Sequence, residues 1–244
     1  MADARALARY LESASREARK RERRPAGAGI DRPIITISRL EGCGAHLVGE
    51  ELVARFGELA PEASPPWTLF DRNLVEWVLQ DHELPGGWAA WMPEDRVSEV
   101  ADIVDGLFGL RPSSWVLVRK TAETILRLAQ TGNVVVIGRG ANVITARVPS
   151  AFRVRLVGSM PARIAYVREH VDVDPLQAAA YIRERDLGRK RYVRKYYDAD
   201  IDDPLGYDLV VNTDRLACAE TARIIVEAVH ARQEATGLGR RLAG

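Results

Sequence analysis

The chain has only two cysteines, Cys43 and Cys218, and it has no long apolar run. Two cysteines exclude a disulfide-rich scaffold and a four-cysteine zinc site, and they are typical of a reducing compartment. The most apolar run, Val134 to Ile137, is far shorter than the ~18 residues that a membrane-spanning helix needs. The N-terminal residues contain no apolar segment typical of a signal peptide. We therefore expect a cytoplasmic protein without a membrane partner.

An excess of charge of one sign is also missing. The 35 Lys and Arg residues balance 34 Asp and Glu residues, and the net charge is +1. A protein that coats nucleic acid is usually far more basic, so the balance argues against nucleic acid as the main partner. Hydrophobic residues make up 47% of the 244 residues and charged residues 28%, which excludes wholesale disorder.

Five short apolar stretches rich in β-branched residues alternate with segments of helical periodicity. This alternation predicts an α/β protein with a five-stranded parallel sheet that helices cover on both faces. The predicted strands are 33–38, 67–70, 133–137, 152–157 and 207–212. The predicted helices follow the glycines at 42–44 and then occupy 72–79, 113–131, 160–170, 175–186 and 216–231.

Residues 1–32 differ in composition from the rest of the chain. A few apolar residues, Tyr10 among them, recur at helical spacing before a basic run, which predicts a basic helical arm and a short linker. The arm is interpreted as solvated, with a membrane-surface or nucleic-acid contact as the alternative. Residues 33–244 form the predicted main domain. Within it, the proline- and glycine-rich stretch from Pro85 to Ser114 predicts helical pieces on a mobile lobe at about 80–131, whose tryptophans are interpreted as lobe core rather than a base-stacking platform.

The segment between the first predicted strand and the first helix is the expected place for an anion. Backbone N–H groups at a helix N-terminus form a phosphate cradle where glycines such as Gly42 and Gly44 allow close approach. The segment is not a regular P-loop, because Ala45 stands where the pattern G-x-x-x-x-G-K-S/T has lysine. An ordinary strand–helix turn is the alternative interpretation.

A second candidate segment places Arg139 between two glycines, directly after the predicted strand at 133–137. Open parallel sheets bind ligands at the carboxyl ends of their strands. Arg139 is therefore a candidate anion ligand, and a surface arginine on a tight loop is the alternative.

A third segment holds seven basic residues between Arg183 and Lys195, with Asp186 and three tyrosines among them. Arginines concentrated in one flexible stretch suit the clamping of a polyphosphate, because guanidinium groups stabilise spreading negative charge. A solvated basic helix face and an RNA-binding stripe are the alternatives.

Taken in order, these segments resemble the cytidylate kinase-like family of P-loop nucleoside monophosphate kinases. The matching pieces are Ile35-Thr-Ile-Ser-Arg39 with Gly42 and Gly44, Phe70-Asp71, Val136-Ile-Gly-Arg-Gly-Ala141, Glu184-Arg-Asp186 and the segment from Asp203 to Asp214. The resemblance implies a three-layer P-loop kinase fold with a monophosphate-binding lobe at about 80–131 and an arginine-rich lid at about 184–200. It also implies transfer of the γ-phosphoryl group of ATP, with Mg²⁺, to CMP or dCMP.

The resemblance further implies roles for individual residues. Gly42 and Gly44 are expected to bind the ATP phosphates, Asp71 and Arg139 the acceptor, and Arg185, Asp186 and Arg189 to act catalytically in the lid. Asp186 orients a lid arginine or forms a purely structural ion pair.

The chain departs from cytidylate kinases at three positions of this pattern. Ala45 replaces the lysine, Leu47 replaces a hydroxyl residue, and Gly140 replaces an aspartate after the acceptor-binding arginine. Because Arg39 is always charged and His46 is mostly neutral at pH 7, we expect Arg39 to replace the lysine, with His46 contributing once ATP is bound. An ion pair of Arg39 with a loop carboxylate such as Glu41 is the alternative. A kinase of another small acceptor and a catalytically silent nucleotide-binding protein are the alternative functions.

Overall fold

The computed structural model describes residues 32–71 and 114–242, together with Tyr10 and Ser13. Its strands are β1 (Ile34–Arg39), β2 (Thr68–Phe70), β3 (Val134–Ile137), β4 (Ala151–Val157) and β5 (Leu209–Asn212). Its helices are α1 (Ala45–Leu59), α2 (Ser114–Thr131), α3 (Ala141–Ile144), α4 (Met160–His170), α5 (Pro175–Tyr197) and α6 (Cys218–Leu242), with a short 3-10 helix at Pro204–Gly206.

The five strands form one sheet in the order β2-β3-β1-β4-β5, and every neighbouring pair is parallel. The predicted α/β class and five-stranded parallel sheet are therefore confirmed. In the pairing of β1 with β3, Ile37 lies opposite Ile137, so the loops after these two strands start side by side. Strands β2 and β3 lie on one side of β1, and strands β4 and β5, which follow them in the sequence, lie on the other side. This reversal of direction creates the crevice in which open α/β sheets bind ligands.

Strands β1 to β4 are largely buried on both faces, which explains why they read as apolar runs, whereas Val210 of the edge strand β5 is 44% exposed. One face packs on α1 and α6 through side chains that include Ile35, Leu52 and Ile225, all fully buried. The other face packs on α2 through side chains that include Val134 and Ile125. Burial of each such side chain contributes about 1.5–3 kcal/mol.

Tyr10 belongs to this second core. It is 1% exposed, its ring meets Phe70 edge-on with centroids 5.6 Å apart, and its hydroxyl donates to the Gly132 carbonyl at 3.1 Å. The interpretation of the N-terminal arm as solvated is therefore wrong at Tyr10. Most other residues of the arm, the predicted helix at 72–79 and the part of the lobe at 80–113 lie outside the described residues.

Two helices extend further than the sequence predicts. Helix α5 begins with a capping box between Asp174 and Gln177 and continues to Tyr197 instead of ending at 186. The predicted flexible basic stretch is therefore helical, because its arginines and two lysines are good helix formers and no proline interrupts them. Helix α6 likewise continues past 231 to Leu242. Within the described residues no helix is both long and apolar enough to cross a membrane.

Candidate functional site

A cleft of about 560 Å³ opens at the carboxyl ends of β1 and β3. It is lined by eight of the nine residues that the sequence predicts: Arg39, Gly42, Gly44, His46, Asp71, Arg139, Arg185 and Arg189. The ninth, Asp186, lies beside the loop and accepts a hydrogen bond from the Glu41 backbone at 2.7 Å. The fold thus brings residues from four separate segments to one place.

The loop between β1 and α1 requires both of its glycines. Gly42 and Gly44 have φ values of 82° and 66°, in the left-handed region that favours glycine. A Cβ atom on Gly42 would lie 2.7 Å from the Arg163 carbonyl oxygen, and one on Gly44 would lie 2.9 Å from the Cys218 sulfur. Gly44 caps α1 without a side-chain hydrogen bond, so the first N–H groups of the helix are left for an anion.

The loop after β3 has three consecutive left-handed residues. Gly138, Arg139 and Gly140 have φ values of 79°, 58° and 68°. This conformation is uncommon for a residue with a side chain, and backbone strain of this kind concentrates at functional sites. The Tyr197 ring packs on Gly140, and its hydroxyl donates to the Arg139 carbonyl at 3.4 Å. Helix α5 thereby supports the backbone that carries Arg139 into the cleft.

We expect Gly140→Ala to destabilise the protein by about 2 kcal/mol or more, since strained left-handed residues cost of order 1–3 kcal/mol and steric overlap adds to this. The new Cβ would lie 2.4 Å from the Tyr197 ring. Chemical unfolding measures the change. Gly57→Ala is the matched control, because a Cβ there meets nothing within 4 Å and alanine favours the helix. Equal unfolding free energies for the two variants would contradict the expectation.

A group of four charged residues, two buried arginines and two half-buried carboxylates, attaches α4 and α5 to the glycine loop. Arg163 and Arg189 are each 5% exposed. Arg163 donates to the Glu41 carbonyl at 2.8 Å and pairs with Asp186. Arg189 pairs with the Glu41 carboxylate and lies 3.5 Å from Asp186. Because two arginines meet two carboxylates, the group is balanced in charge and holds the loop in place.

Asp186 is the centre of this group. Burial raises the pKa of Asp186, while the Glu41 amide and the guanidinium groups of Arg163 and Arg189 oppose the rise. The carboxylate thus contacts two arginines and one backbone N–H group. The Glu41 carboxylate, suggested as a partner of Arg39, pairs with Arg189 instead.

His46 contacts carboxylates on two elements. Its Nδ1 atom lies 3.0 Å from an Asp71 oxygen and its Nε2 atom lies 3.4 Å from a Glu50 oxygen. The ring therefore joins the first turn of α1 to the residue that follows β2. In this arrangement Asp71, predicted at the acceptor site, and His46, predicted at the ATP site, are hydrogen-bonded to each other.

The remaining lining residues include aromatic and thiol groups. Burial raises the pKa of the Tyr166 hydroxyl and of the Cys43 thiol, so both groups remain neutral at pH 7. Arg185 lies over the Tyr181 ring, with its guanidinium carbon 4.7 Å from the ring centroid. Arg185 therefore reaches the cleft from helix α5.

Sequence reasoning missed Arg163. It is a single arginine in an ordinary helix and lies 122 positions from the loop residue that it contacts, so no local pattern marks it. Glu41 was considered only as a partner of Arg39. The basic character of α5 was visible in the sequence, but which of its arginines face the loop was not.

The sheet order, the glycine loop that opens α1 and the arginines around it define a P-loop kinase fold. A family model described as the cytidylate kinase-like family matches residues 34–215, so the chain belongs to that family. The membership that the sequence motifs predicted is therefore confirmed.

Individual relatives agree with the family. A cytidylate kinase of Staphylothermus marinus is 29% identical over 109 residues, which are 45% of this chain and 59% of that protein. A cytidylate kinase of Thermoplasma volcanium is 33% identical over 100 residues, which are 40% of this chain and 52% of that protein. The matches therefore span just over half the length of these relatives.

Two solved structures share the fold. An uncharacterized protein from Eubacterium ventriosum has a TM-score of 0.60 at 18% identity, covering 81% of this chain and 98% of that chain. A gluconokinase from Sinorhizobium meliloti has a TM-score of 0.51 at 13% identity, covering 86% of this chain and 99% of that chain. At these identities the likeness concerns the fold alone.

Proposed function

We propose that the protein transfers the γ-phosphoryl group of ATP to a nucleoside monophosphate, with CMP or dCMP as the acceptor. The observation that carries the proposal is the convergence of two anion-binding loops on one cleft. The glycine loop offers backbone N–H groups, and the next loop along the sheet edge offers Arg139. Family membership and the cytidylate kinase relatives support the same reaction.

Phosphoryl transfer asks the protein mainly for positioning and charge stabilisation. The N–H groups from Gly42 to Ala45 bind the donor phosphates, and Arg39 replaces the missing lysine. Arg139 holds the acceptor phosphate, with Asp71 beside it. Arg185 stabilises the charge that develops on the phosphoryl group during transfer.

The cleft fits a nucleotide that arrives with Mg²⁺. Within the described residues no three His, Cys, Asp or Glu side chains form a metal site. This is compatible with Mg²⁺, which commonly binds through substrate phosphates and one or two carboxylates. Asp71 is a carboxylate in the cleft that could hold it. The ion would neutralise part of the triphosphate charge.

A second candidate function is transfer to an acceptor that bears a hydroxyl group. The hydrogen bond between His46 and Asp71 favours it, because a hydroxyl acceptor must lose a proton and this pair could receive it. A nucleoside monophosphate attacks through an ionised phosphate oxygen and requires no such base.

A coupled assay of ADP release with a panel of nucleoside monophosphates and small hydroxyl acceptors tests both candidates. Calorimetric titration with ATP and with CMP measures binding of each nucleotide separately from turnover. We expect turnover with CMP or dCMP. Turnover with a hydroxyl acceptor alone would support the second candidate. Binding of ATP and CMP without turnover would indicate a catalytically silent nucleotide-binding protein.

We expect Arg39→Ala to raise the KM for ATP by about tenfold or more, and His46→Ala to raise it less. A charge-assisted hydrogen bond to phosphate is worth about 1.5–3 kcal/mol. Arg39 lines the cleft at the end of β1, and an arginine binds phosphate more strongly than a histidine because it is always charged. Steady-state kinetics at saturating acceptor measures the difference.

Arg168→Ala, on the exposed last turn of α4, is the control for this comparison. An Arg39→Ala protein with lower stability but unchanged ATP affinity and rate would assign Arg39 a structural role. In that case the N–H groups of the loop and the arginines of α5 would bind the phosphates.

A further inference from the structure

The glycine loop carries its own negative charge at the place where donor phosphates are expected to bind. Glu41 lies between Leu40 and Gly42 and lines the cleft. Its carboxylate pairs with the guanidinium group of Arg189, which lines the same cleft from α5. Guanidinium groups bind carboxylates and phosphates with the same planar pair of donors. A donor phosphate and the Glu41 side chain are therefore alternative partners of one arginine.

The contacts around Glu41 separate its backbone from its side chain. Its N–H group donates to Asp186 at 2.7 Å, and its carbonyl accepts from Arg163 at 2.8 Å. These two bonds fix the backbone of the loop without the carboxylate. The side chain is 22% exposed, so it can turn into water and regain hydration while the loop stays in place.

Arg189 also keeps a partner when the carboxylate leaves. Asp186 lies 3.5 Å from its other terminal nitrogen, and this pair is independent of the Glu41 side chain. The exchange of Glu41 for a phosphate therefore leaves no arginine buried without a counter-charge. The free-energy cost of the exchange is therefore limited to the loss of the ion pair between Glu41 and Arg189.

We propose that Glu41 is an internal competitor of the donor phosphates for Arg189 and so determines which anions the cleft accepts. This inference rests on the donor site of the proposed function. A polyphosphate makes many contacts with the loop and displaces the carboxylate. A single phosphate gains too little to do so. The cost of displacing Glu41 therefore lowers the affinity for every anion that binds Arg189, and only a donor with several phosphate groups retains tight binding.

The decisive experiment is calorimetric titration of the full chain with MgATP, without acceptor. We expect Glu41→Gln to bind MgATP about tenfold more tightly than the unmodified protein, because a hydrogen bond to a charged group is worth about that factor or more. Inorganic phosphate should gain measurable affinity in the same variant. Glu62→Gln is the control, since it removes the same charge from the exposed turn beyond the far end of α1. Unchanged or weaker ATP binding by Glu41→Gln would overturn the proposal.

A double-mutant cycle with Arg189→Met separates competition from general repulsion. If Glu41 acts through Arg189, Glu41→Gln should improve ATP binding in the unmodified protein and not in the Arg189→Met background. An equal improvement in both backgrounds would show only the removal of a nearby negative charge, and it would overturn the proposal. If Arg189→Met does not fold, Arg189→Gln takes its place in the cycle. Competition predicts that Glu41→Gln brings no gain in that background either.

The experiment also separates this inference from the proposed acceptor. A tenfold gain in a protein that shows no turnover with CMP would support the role of Glu41 and contradict the acceptor. Normal turnover with CMP, together with an unchanged ATP affinity in Glu41→Gln, would support the acceptor and contradict the role of Glu41. Absence of ATP binding in both the unmodified protein and Glu41→Gln would overturn both.

Discussion

Replacement of Arg139 by alanine is expected to lower kcat/KM for the acceptor by about 10²-fold or more, with little change in the affinity for ATP. Arg139 lines the cleft and follows β3, which is the neighbour of β1. Its guanidinium group can bind a phosphate through two parallel hydrogen bonds, and loss of such a contact is worth a few kcal/mol. A factor of ten in rate corresponds to about 1.4 kcal/mol, which gives the expected loss.

Two further variants make this prediction specific. Arg139→Lys keeps the charge but not the planar fork, so we expect an intermediate loss. Arg147→Ala removes an exposed arginine from the turn that follows α3 and should change nothing. Calorimetry with ATP and kinetics with varied CMP measure the two affinities. Equal losses for ATP and the acceptor would contradict the assignment of Arg139 to the acceptor.

Arg185→Ala is expected to lower kcat by about 10²-fold and to raise the KM for ATP much less. Removal of a donor that stabilises charge in a transition state typically costs about 10²–10³-fold in kcat. Arg185 lines the cleft and lies over the Tyr181 ring on a continuous helix. Because this role is confined to the charge that develops in the transition state, its loss should appear in kcat rather than in binding.

Arg191→Ala, an exposed position on the same helix, is the matched control and should leave both constants unchanged. Steady-state kinetics with ATP varied at saturating acceptor separates kcat from KM. An Arg185→Ala protein with an unchanged kcat would remove this residue from the proposed machinery. Arg189 is a less direct test, because its pairs with Glu41 and Asp186 also hold the loop.

The candidate site was predictable where its residues sit in local patterns. Gly42 and Gly44 lie between a strand and a helix, and Arg139 lies between glycines at the end of another strand. Such patterns depend on neighbours within a few positions, so the sequence displays them directly. Resemblance to the family added Asp71 and the residues of α5, and the structure places all of them at or beside one cleft.

The electrostatic arrangement within the site was not predictable in this way. Asp186 contacts a backbone group 145 positions away, and Arg189 contacts a carboxylate 148 positions away. A local pattern shows that α5 is basic, but it does not show which arginine reaches the loop or which carboxylate neutralises it. The continuation of α5 to Tyr197 was missed for a related reason, since a dense basic run is compatible with both a helix and a flexible segment.

The sequence by itself determined the α/β class, the glycine positions and the candidate anion-binding residues, because periodicity and turn chemistry act over a few residues. The tertiary structure decided the strand order, which sets the loops after β1 and β3 side by side. It also decided the burial of Tyr10 against Phe70 and the pairing of Glu41 with Arg189. These contacts join parts of the chain far apart in sequence, and packing of the whole sheet with its helices is what brings them together.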